Sequence, residues 1–531
     1  MRFFRLLALA GIASVAPVVS IAGAAVECHG LVGRTFGAAE VTNSDDVAAP
    51  LSLRDPNGAE LAVSTPFCRV RGVIRPTADS NINFEVWLPS AQAWNGKYQG
   101  VGNGGFLGAI MYSAMQRALR TGYAVSSTDA GHTSTSIESQ WALGHPEKIA
   151  DWGWRAIHET ALASKAIVAT YYSTAPKYSY FVGCSKGGGS AMMEAQRFPT
   201  DYNGIVAAAP GMNQSGQVAS YLWALQAVAQ PRAWISPAKI TVLNRAVLEA
   251  CKADNGLLDD PATCHFDPGR LQCKTGDGSD CLTAEQVAAA RKIYSGPLDA
   301  HHESLYPGLA RGGEYAWSRM IMGPEDQAAT GSILFPSMMG YLGNLLFGNS
   351  DWDFHTLSAS EVMSLARQRL TRDFDATNPD LGAFKAAGGK LIMLQGWNDP
   401  IVRPSAAIQY NDSVAAKMGG RTAVQSFYRL FMAPGMDHCG GGPGPNAVGG
   451  AMNLPAPTRD AQHDIVAALE QWVEQGRAPD RLTATLYQDD DPSKAVIAQR
   501  PWCAYPQVAG YSGHGDRDKS ASYVCRRPLN Q

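Results

Sequence analysis

The stretch Tyr178-Ser-Tyr-Phe-Val-Gly-Cys-Ser-Lys-Gly187 decides the fold class of this chain. Its first half is rich in aromatic and β-branched residues, as strands are, and helix-forming residues follow it as far as Pro199. Residues 183–187 fit the pattern G-x-S-x-G, which places a serine on a tight turn between a strand and a helix. The pattern predicts that Ser185 is a nucleophile at the edge of an α/β sheet. An ordinary glycine-rich turn or a phosphate loop is the alternative.

A serine hydroxyl is a weak nucleophile, so this hypothesis requires an acid and then a histidine later in the chain. A buried strand is predicted at 390–395, and the turn after it contains Asp399. A second strand-like run at 425–431 leads to His438, in a loop rich in glycine and proline. Because the carboxyl ends of strands carry the sites of α/β proteins, we predict Asp399 as the acid and His438 as the base. Either residue alone is also compatible with a capping or surface role.

Two cysteines link the serine to the histidine. Cys184 directly precedes Ser185, and Cys439 directly follows His438. If the two catalytic candidates touch, their cysteine neighbours are also close, and a disulfide between them would hold both loops in place. Two buried free thiols are the alternative.

The remaining cysteines suit an exported protein. The chain has ten in all, and an even count suggests five disulfides. The count cannot choose the partners, although short separations weakly favour Cys251 with Cys264, Cys273 with Cys281, and Cys503 with Cys525. A zinc site is disfavoured because no two cysteines have the C-x-x-C spacing.

Composition and charge exclude one class of partner. The 531 residues are 45% hydrophobic, and 44 Lys and Arg face 47 Asp and Glu, for a net charge of −3. This balance, without a long basic run, excludes a nucleic-acid partner. The length suits two or three domains, or one domain with a large insertion.

The first residues resemble a targeting signal. Arg2 and Arg5 precede an apolar run that ends near Ile21, and small residues follow it. This layout predicts a cleavable secretory signal at 1–24, with a membrane anchor as the alternative. Since no later apolar stretch is long enough to span a membrane, we expect no membrane partner and a secreted or periplasmic protein.

The spacing of the candidate residues predicts an insertion. The interval from Ser185 to Asp399 is several times longer than the next one, from Asp399 to the histidine. Consecutive sheet elements rarely need so long a connection. We therefore predict a lid domain at 212–386, inserted into an α/β catalytic domain that comprises 25–211 and 387–531.

An acyl-transfer site also needs two N–H groups for the developing oxyanion. The amide that follows the nucleophile belongs to Lys186. The glycine turn after the strand-like run 97–101 offers a second amide, from Gly104 or Gly105. A simple turn is the alternative interpretation of these glycines.

The Cys-Ser, Asp and His-Cys arrangement resembles the tannase and feruloyl esterase family of serine hydrolases, which also includes mono(2-hydroxyethyl) terephthalate hydrolase. The likeness extends over nearly the whole chain after the signal. Besides the catalytic segments, it is carried by the sequences at 102–106, 129–132, 141–148, 311–314, 351–354 and 396–399.

The resemblance implies an α/β-hydrolase core with a lid, and it implies Gly105 as the second oxyanion donor. It also implies an aromatic acyl pocket, for which we predict Phe347 and Trp317 as substrate contacts. Five disulfides are implied: Cys184 with Cys439, Cys28 with Cys68, Cys251 with Cys264, Cys273 with Cys281, and Cys503 with Cys525.

Two departures from the family bear on function. Many relatives carry a calcium loop, but here the corresponding segment 251–261 is shorter and offers few oxygen ligands besides Asp254, Asp259 and Asp260. We expect weak calcium binding or none, and no other metal or cofactor. The terephthalate hydrolase has an Arg where Gly343 stands, so the site is predicted to lack that bidentate partner for a carboxylate.

The sequence thus predicts a secreted serine carboxylesterase that hydrolyses esters of hydroxycinnamic or gallic acids through an acyl-enzyme. Its partner would be a small aromatic ester. A terephthalate monoester hydrolase is one alternative, and a non-catalytic binding protein with the same fold is another. A peptidase on the same core is a weaker alternative.

Overall fold

The computed structural model describes residues 26–56, 58–450 and 454–528, so the predicted signal at 1–24 lies outside the described residues. The strands, in chain order, are β1 (Thr35–Phe36), β2 (Ala39–Val47), β3 (Leu51–Arg54), β4 (Glu60–Val63), β5 (Phe67–Ile74), β6 (Ile82–Pro89), β7 (Lys97–Val101), β8 (Ala124–Thr128), β9 (Tyr178–Cys184), β10 (Gly204–Ala208), β11 (Lys390–Gly396), β12 (Tyr428–Ala433), β13 (Arg481–Tyr487), β14 (Val496–Cys503), β15 (Val508–Tyr511) and β16 (Tyr523–Arg526).

The α-helices, in the same order, are α1 (Tyr112–Arg120), α2 (Pro146–Ala150), α3 (Ala156–Tyr172), α4 (Lys186–Arg197), α5 (Gln214–Val228), α6 (Pro237–Ala250), α7 (Ala284–Ser295), α8 (Leu334–Met339), α9 (Ala359–Arg369), α10 (Thr371–Phe374), α11 (Gly382–Ala386), α12 (Pro404–Lys417), α13 (Arg421–Gln425) and α14 (Ile465–Gln475). Short π-helical turns lie at Asp151–Arg155, Ser318–Met322 and Gly340–Phe347.

Ten strands form one sheet in the order β1-β2-β5-β6-β8-β7-β9-β10-β11-β12. The first strands pair antiparallel, and β8, β7, β9, β10, β11 and β12 pair parallel. The parallel strands are buried along most of their length, as expected for a sheet covered by helices on both faces. The prediction of an α/β fold is confirmed.

The register of the parallel strands brings their carboxyl ends to one edge. Cys184 at the end of β9 pairs with Ala208 of β10, and Gly396 at the end of β11 pairs with Ala433 of β12. The loops that follow β9, β11 and β12 therefore begin at the same edge of the sheet. These loops contain the three candidate catalytic residues.

A long segment separates β10 from β11, although the two strands are neighbours in the sheet. Residues 209–389 contain helices α5 to α11 and none of the described strands. Helix α5 packs against α7, α8 and α9, and its buried apolar side chains belong to the same core cluster as those of β9, β10 and β11. This segment contains the predicted lid, 212–386, whose role as a lid stays a prediction.

The predicted strand at 425–431 begins later than the sequence indicated. Gln425 is the last residue of helix α13, and β12 starts at Tyr428. Among the described residues, no helix is both long and apolar enough to cross a bilayer.

The ten cysteines form the five pairs that the family resemblance implied. Three of the bridges join residues that are close in the sequence: Cys251–Cys264, Cys273–Cys281 and Cys503–Cys525. Cys28–Cys68 ties the amino-terminal turn to β5. Cys184–Cys439 spans 255 residues and joins the end of β9 to the loop after β12.

Candidate active site

Ser185 stands on a tight turn between β9 and α4. Its backbone has φ 62° and ψ −123°, a conformation that L-residues rarely adopt. The turn requires glycine on both sides, because a Cβ on Gly183 would lie 2.3 Å from the carbonyl oxygen of Gly187. The amino end of α4 begins directly after the serine. The local sequence G-x-S-x-G thus forms the elbow that it predicts.

The structure brings Ser185, His438 and Asp399 into one hydrogen-bonded chain. His438 Nε2 lies 2.8 Å from Ser185 Oγ, and His438 Nδ1 lies 2.8 Å from Asp399 Oδ2. Since the second contact requires an Nδ1–H donor, Nε2 is left as the acceptor for the serine proton. This is the arrangement in which a neutral histidine acts as a general base on a hydroxyl.

Asp399 is held by the turn that follows β11. The residue is 1% exposed, and its Oδ1 accepts the backbone N–H groups of Ile401 and Val402 at 2.8 and 2.9 Å. Its Oδ2 accepts a third hydrogen bond from the Gln395 side chain at 3.0 Å. Asp399 is therefore fixed as an acceptor for the histidine.

The bridge between Cys184 and Cys439 lies beside this chain of hydrogen bonds. Its Cα atoms are 6.0 Å apart, and both residues are buried. Cys184 is the neighbour of Ser185, and Cys439 is the neighbour of His438. The disulfide therefore joins the loop of the nucleophile directly to the loop of the base.

Lys186 and Gly105, whose amides are predicted for the oxyanion, line the same cleft as the serine. Lys186 begins helix α4, so its N–H has no partner within the helix. Gly105 has φ 53°, and a Cβ there would lie 2.5 Å from the carbonyl oxygen of Ser136. In the part of the chain that the structure describes, neither amide donates to a protein group. Gly104 lines the cleft beside Gly105.

A tryptophan that the sequence did not single out connects these two positions. Trp152, in the π-helical turn, donates its indole N–H to the Gly105 carbonyl oxygen at 3.1 Å. The Lys186 ammonium lies 4.7 Å from the centre of the same indole ring and donates to Gly153 O and Ser190 Oγ. Burial lowers the pKa of Lys186 to about 7. The G-x-S-x-G motif indicates the nucleophile but does not predict the surroundings of the Lys186 side chain.

His132, from one of the family segments, supports the loop of Gly105 from the other side. Its Nε2 lies 2.8 Å from the carbonyl oxygen of Phe106, and its ring stacks on Trp141 with 3.8 Å between centroids. Burial lowers the pKa of His132 to about 4. At neutral pH this histidine is uncharged and serves the loop as a hydrogen-bonding support.

A second carboxylate lies behind the histidine. The Tyr315 hydroxyl donates to Asp437, the residue before His438, and accepts from Asn398 Nδ2 at 3.3 Å. Burial, with a contribution from the negative charge of Asp399, raises the pKa of Asp437 to about 6. Tyr315 belongs to the long insertion, so this contact connects the insertion to the loops of the base and the acid.

The cleft above Ser185 has a volume of about 590 Å³ and is formed by the core and the insertion together. Its wall is largely apolar. The apolar side chains that line it are Phe106, Leu107, Met111, Ile137, Tyr221, Ile333, Tyr341 and Ile401.

The two predicted substrate contacts lie elsewhere. Trp317 is 1% exposed and packs against Tyr294, with 5.0 Å between ring centroids. Phe347 stacks on Trp352 at 4.8 Å. Neither residue is among those that line the cleft above Ser185 in the described structure, and a role for these two positions as substrate contacts stays a prediction. Each of the two side chains thus packs against another aromatic residue of the inserted segment.

The shortened calcium loop meets cationic side chains of the chain itself. Asp259 accepts both of its contacts from Arg500 Nη2, at 2.8 Å each, and Asp254 lies 3.5 Å from the same nitrogen. Arg517 also pairs with Asp254. Arg500 is buried, with 4% of its side chain exposed. Two of the carboxylates that could hold a cation are thus already paired with guanidinium groups.

Comparison with known proteins agrees with the geometry. The family model described as Tannase and feruloyl esterase matches residues 68–526. The chain is 38% identical over 540 residues to an uncharacterized esterase of Xanthomonas campestris pv. campestris, with 97% of this chain and 93% of the relative covered. It is 30% identical over 463 residues to a probable feruloyl esterase of Arthroderma benhamiae, with 83% and 82% covered.

Solved structures give the same result. The crystal structure of feruloyl esterase B from Aspergillus oryzae is 25% identical and matches with a TM-score of 0.84, over 93% of this chain and 98% of that chain. Tannin acyl hydrolase from Aspergillus niger, at 20% identity, matches with a TM-score of 0.74 over 96% and 94%, which shows a shared fold. The chain belongs to the tannase and feruloyl esterase family, and it is a carboxylic ester hydrolase.

Proposed function

We propose that the protein is an exported serine esterase that cleaves esters of aromatic acids through an acyl-enzyme. The observation that carries the proposal is the hydrogen-bonded chain from Ser185 Oγ through His438 to Asp399. The apolar, aromatic-lined cleft above the serine and the feruloyl esterase names of the relatives support an aromatic acyl group. The five disulfides and the signal predicted at 1–24 support export.

In the first half of the reaction, Ser185 Oγ attacks the ester carbonyl carbon while His438 Nε2 takes the hydroxyl proton. Negative charge develops on the carbonyl oxygen, and the amides of Lys186 and Gly105 stabilise it. The tetrahedral intermediate then collapses, and the bond to the alcohol oxygen breaks. His438 returns the proton to that oxygen, so that the alcohol leaves and an acyl-serine remains.

In the second half, water replaces the alcohol. His438 takes a proton from water, and the resulting hydroxide attacks the acyl carbon of the Ser185 ester. Collapse of the second intermediate breaks the bond to Oγ, which regains a proton from the histidine. Asp399 holds the imidazole in the reactive tautomer in both halves and stabilises its charged form.

The inserted segment 212–386 is proposed to act as the lid over this reaction. It contributes Tyr221, Ile333 and Tyr341 to the wall of the cleft, and Tyr341 packs against Phe106 of the Gly105 loop. An apolar wall excludes water around the developing charge and so strengthens the hydrogen bonds that stabilise it.

Active-site labelling and an ester panel test the proposal. A fluorophosphonate should label the wild type on Ser185, as mapped by mass spectrometry, and Ser185→Ala should be unlabelled and about 10⁴-fold or more slower. Ser413→Ala, which changes an exposed serine of α12, is the control and should retain labelling and activity. The panel comprises methyl ferulate, methyl gallate and a terephthalate monoester. Appreciable turnover by Ser185→Ala, or label on another residue, would contradict the mechanism.

A further inference from the structure

An arginine that the proposed mechanism does not use lines the same cleft as the nucleophile. Arg117 belongs to helix α1, which follows the loop of Gly105, and it borders the cleft together with Ser185 and His438. The helix also contributes Ser113 to this wall, and Asp55 lies next to it on the hairpin turn between β3 and β4.

Arg117 has no hydrogen-bond partner among the described residues. Its Nε is buried without an acceptor, and Asp55 acts on it through charge alone, without a hydrogen bond. Asp55, the nearest source of negative charge, uses its oxygens to accept from Ser113 N and Oγ, at 2.9 and 3.3 Å. On the same helix, Arg120 adds positive charge.

The unpaired guanidinium of Arg117 lowers the stability of the folded protein when no ligand is bound. Partial burial lowers the pKa of Arg117, yet an arginine side chain keeps its proton in proteins. A partly buried charge whose Nε has no acceptor lowers the stability of the fold. A group with this cost at the wall of a binding cleft is best explained by a ligand that supplies the missing acceptor.

We propose that Arg117 binds a free carboxylate of the substrate, at an end of the ester remote from the bond that is cleaved. This inference rests on the proposed esterase function. A guanidinium accepts a carboxylate through two parallel N–H···O bonds, which are stronger and more directional than bonds between neutral groups. The inference revises the expectation, drawn from Gly343, that the cleft offers no guanidinium to a carboxylate.

The cleft has room for such a substrate. Its volume of about 590 Å³ lies within the range of pockets that enclose a complete small ligand. The carboxylate belongs either to the acyl part, as in a dicarboxylic acid monoester, or to the alcohol part, as in a hydroxycinnamate esterified to a hydroxy acid. Both sources present the same anionic group to Arg117.

Pairs of esters that differ only in charge show whether the carboxylate belongs to the acyl part or to the alcohol part of the substrate. Each carboxylate ester is compared with its neutral methyl-capped analogue, on the wild type and on Arg117→Met. We expect the KM of one carboxylate ester to rise about 10- to 100-fold in the variant, and kcat/KM for the neutral analogues to stay within about twofold. Arg117→Lys should recover only part of the loss, because an ammonium lacks the fork geometry. Arg120→Met, at an exposed site of the same helix, is the control.

A stability measurement separates a ligand-binding role from a structural one without using activity. An unpaired charge predicts that Arg117→Met has a Tm equal to or above that of the wild type. A clear fall in Tm, or an equal loss on charged and neutral esters, would overturn the proposal.

A binding measurement separates this inference from the esterase mechanism. In the Ser185→Ala background, Kd values are measured for the carboxylate esters and their capped analogues, with and without Arg117→Met. Selective weakening of the carboxylate esters supports Arg117 even if wild-type turnover fails. Equal Kd values for all four esters contradict the inference, even if the enzyme hydrolyses every neutral ester.

Discussion

The indole N–H of Trp152 donates a hydrogen bond to the carbonyl oxygen of Gly105 at 3.1 Å. The amide of Gly105 is one of the two donors proposed for the oxyanion, and the other belongs to Lys186, whose ammonium lies over the same indole ring. A single side chain therefore contacts both residues that carry the proposed donors. Because oxyanion stabilisation depends on preorganised donors, we expect the effect of Trp152 to appear in the rate of the chemical step.

Trp152→Phe should lower kcat by about 10-fold or more and leave KM within about threefold. The phenyl ring keeps part of the packing but cannot hold the loop through a hydrogen bond, and small displacements of catalytic groups are costly. Steady-state kinetics on a neutral aryl ester measure the change. Trp141→Phe is the matched control, since its indole belongs to the same aromatic cluster but donates to Glu138 O. An equal kcat loss in both variants would point to packing rather than to this hydrogen bond.

Replacing Cys184 and Cys439 together with Ala should lower both stability and kcat. The bridge spans 255 residues, and disulfides that close loops typically contribute about 2–4 kcal/mol to the free energy of unfolding. The kcat effect follows from the freed loops of Ser185 and His438. The control removes Cys503 and Cys525, a bridge of sequence separation 22, and should lower stability without a comparable change in kcat. Urea denaturation and kinetics on the two double variants make the comparison. Free thiols at 184 and 439 in active enzyme would contradict the prediction.

Lys186→Met should change the dependence of stability on pH. Burial lowers the pKa of this lysine from 10.5 to about 7, so the unfolded chain binds more protons than the folded one between these values. The free energy of unfolding of the wild type should therefore rise, relative to that of the variant, as pH increases from 7 towards 10. Below pH 7 the buried lysine is charged in the folded state, and there the free energy of unfolding of the variant should exceed that of the wild type by the largest amount.

Urea denaturation at pH 6, 7.5 and 9 measures this difference. Lys385→Met, at an exposed position, is the control and should show no such trend. A constant difference between Lys186→Met and the wild type over this range would show that the Lys186 ammonium is not destabilised by its surroundings.

Calcium should leave the Tm of the wild type unchanged, as should a chelator. Asp254 and Asp259 are already paired with Arg500, so a cation would have to compete with a buried guanidinium. Arg500→Met should destabilise the protein by about 3–5 kcal/mol, because it leaves the Asp259 carboxylate without its guanidinium partner. We expect calcium to recover part of this loss. Arg517→Met is the control at a more exposed site and should cost less. A wild-type Tm that falls on chelation would contradict the prediction.

The sequence predicted the hydrogen-bonded chain of the site because each member follows a strand with a recognisable pattern. Ser185 lies in a short motif, and Asp399 and His438 each come after a buried run in the required order. The family resemblance supplied the disulfide pairs. The three catalytic candidates could be predicted because each is marked by the residues next to it in the chain, which a sequence displays directly.

The contacts that the sequence did not predict join residues far apart in the chain. Arg500 and Asp259 are separated by 241 positions, and no local pattern relates them. The role of Trp317 and Phe347 as substrate contacts stays a prediction, because an aromatic residue in an insertion has the same local sequence whether it packs in a core or borders a cleft. The structure places Trp317 in a core and leaves Arg117 at the cleft. Charge and burial together identified the arginine, and only the folded chain provides both.

The bridge from Cys184 to Cys439 encloses the whole insertion in a covalent ring. A protease that cuts an exposed loop between these two positions would leave both fragments joined by sulfur, with Ser185 on one fragment and His438 on the other. The nicked protein would migrate as a single species without reductant and as two after reduction. An enzyme with this architecture can be cleaved once within its insertion and still keep its proposed nucleophile beside its proposed base.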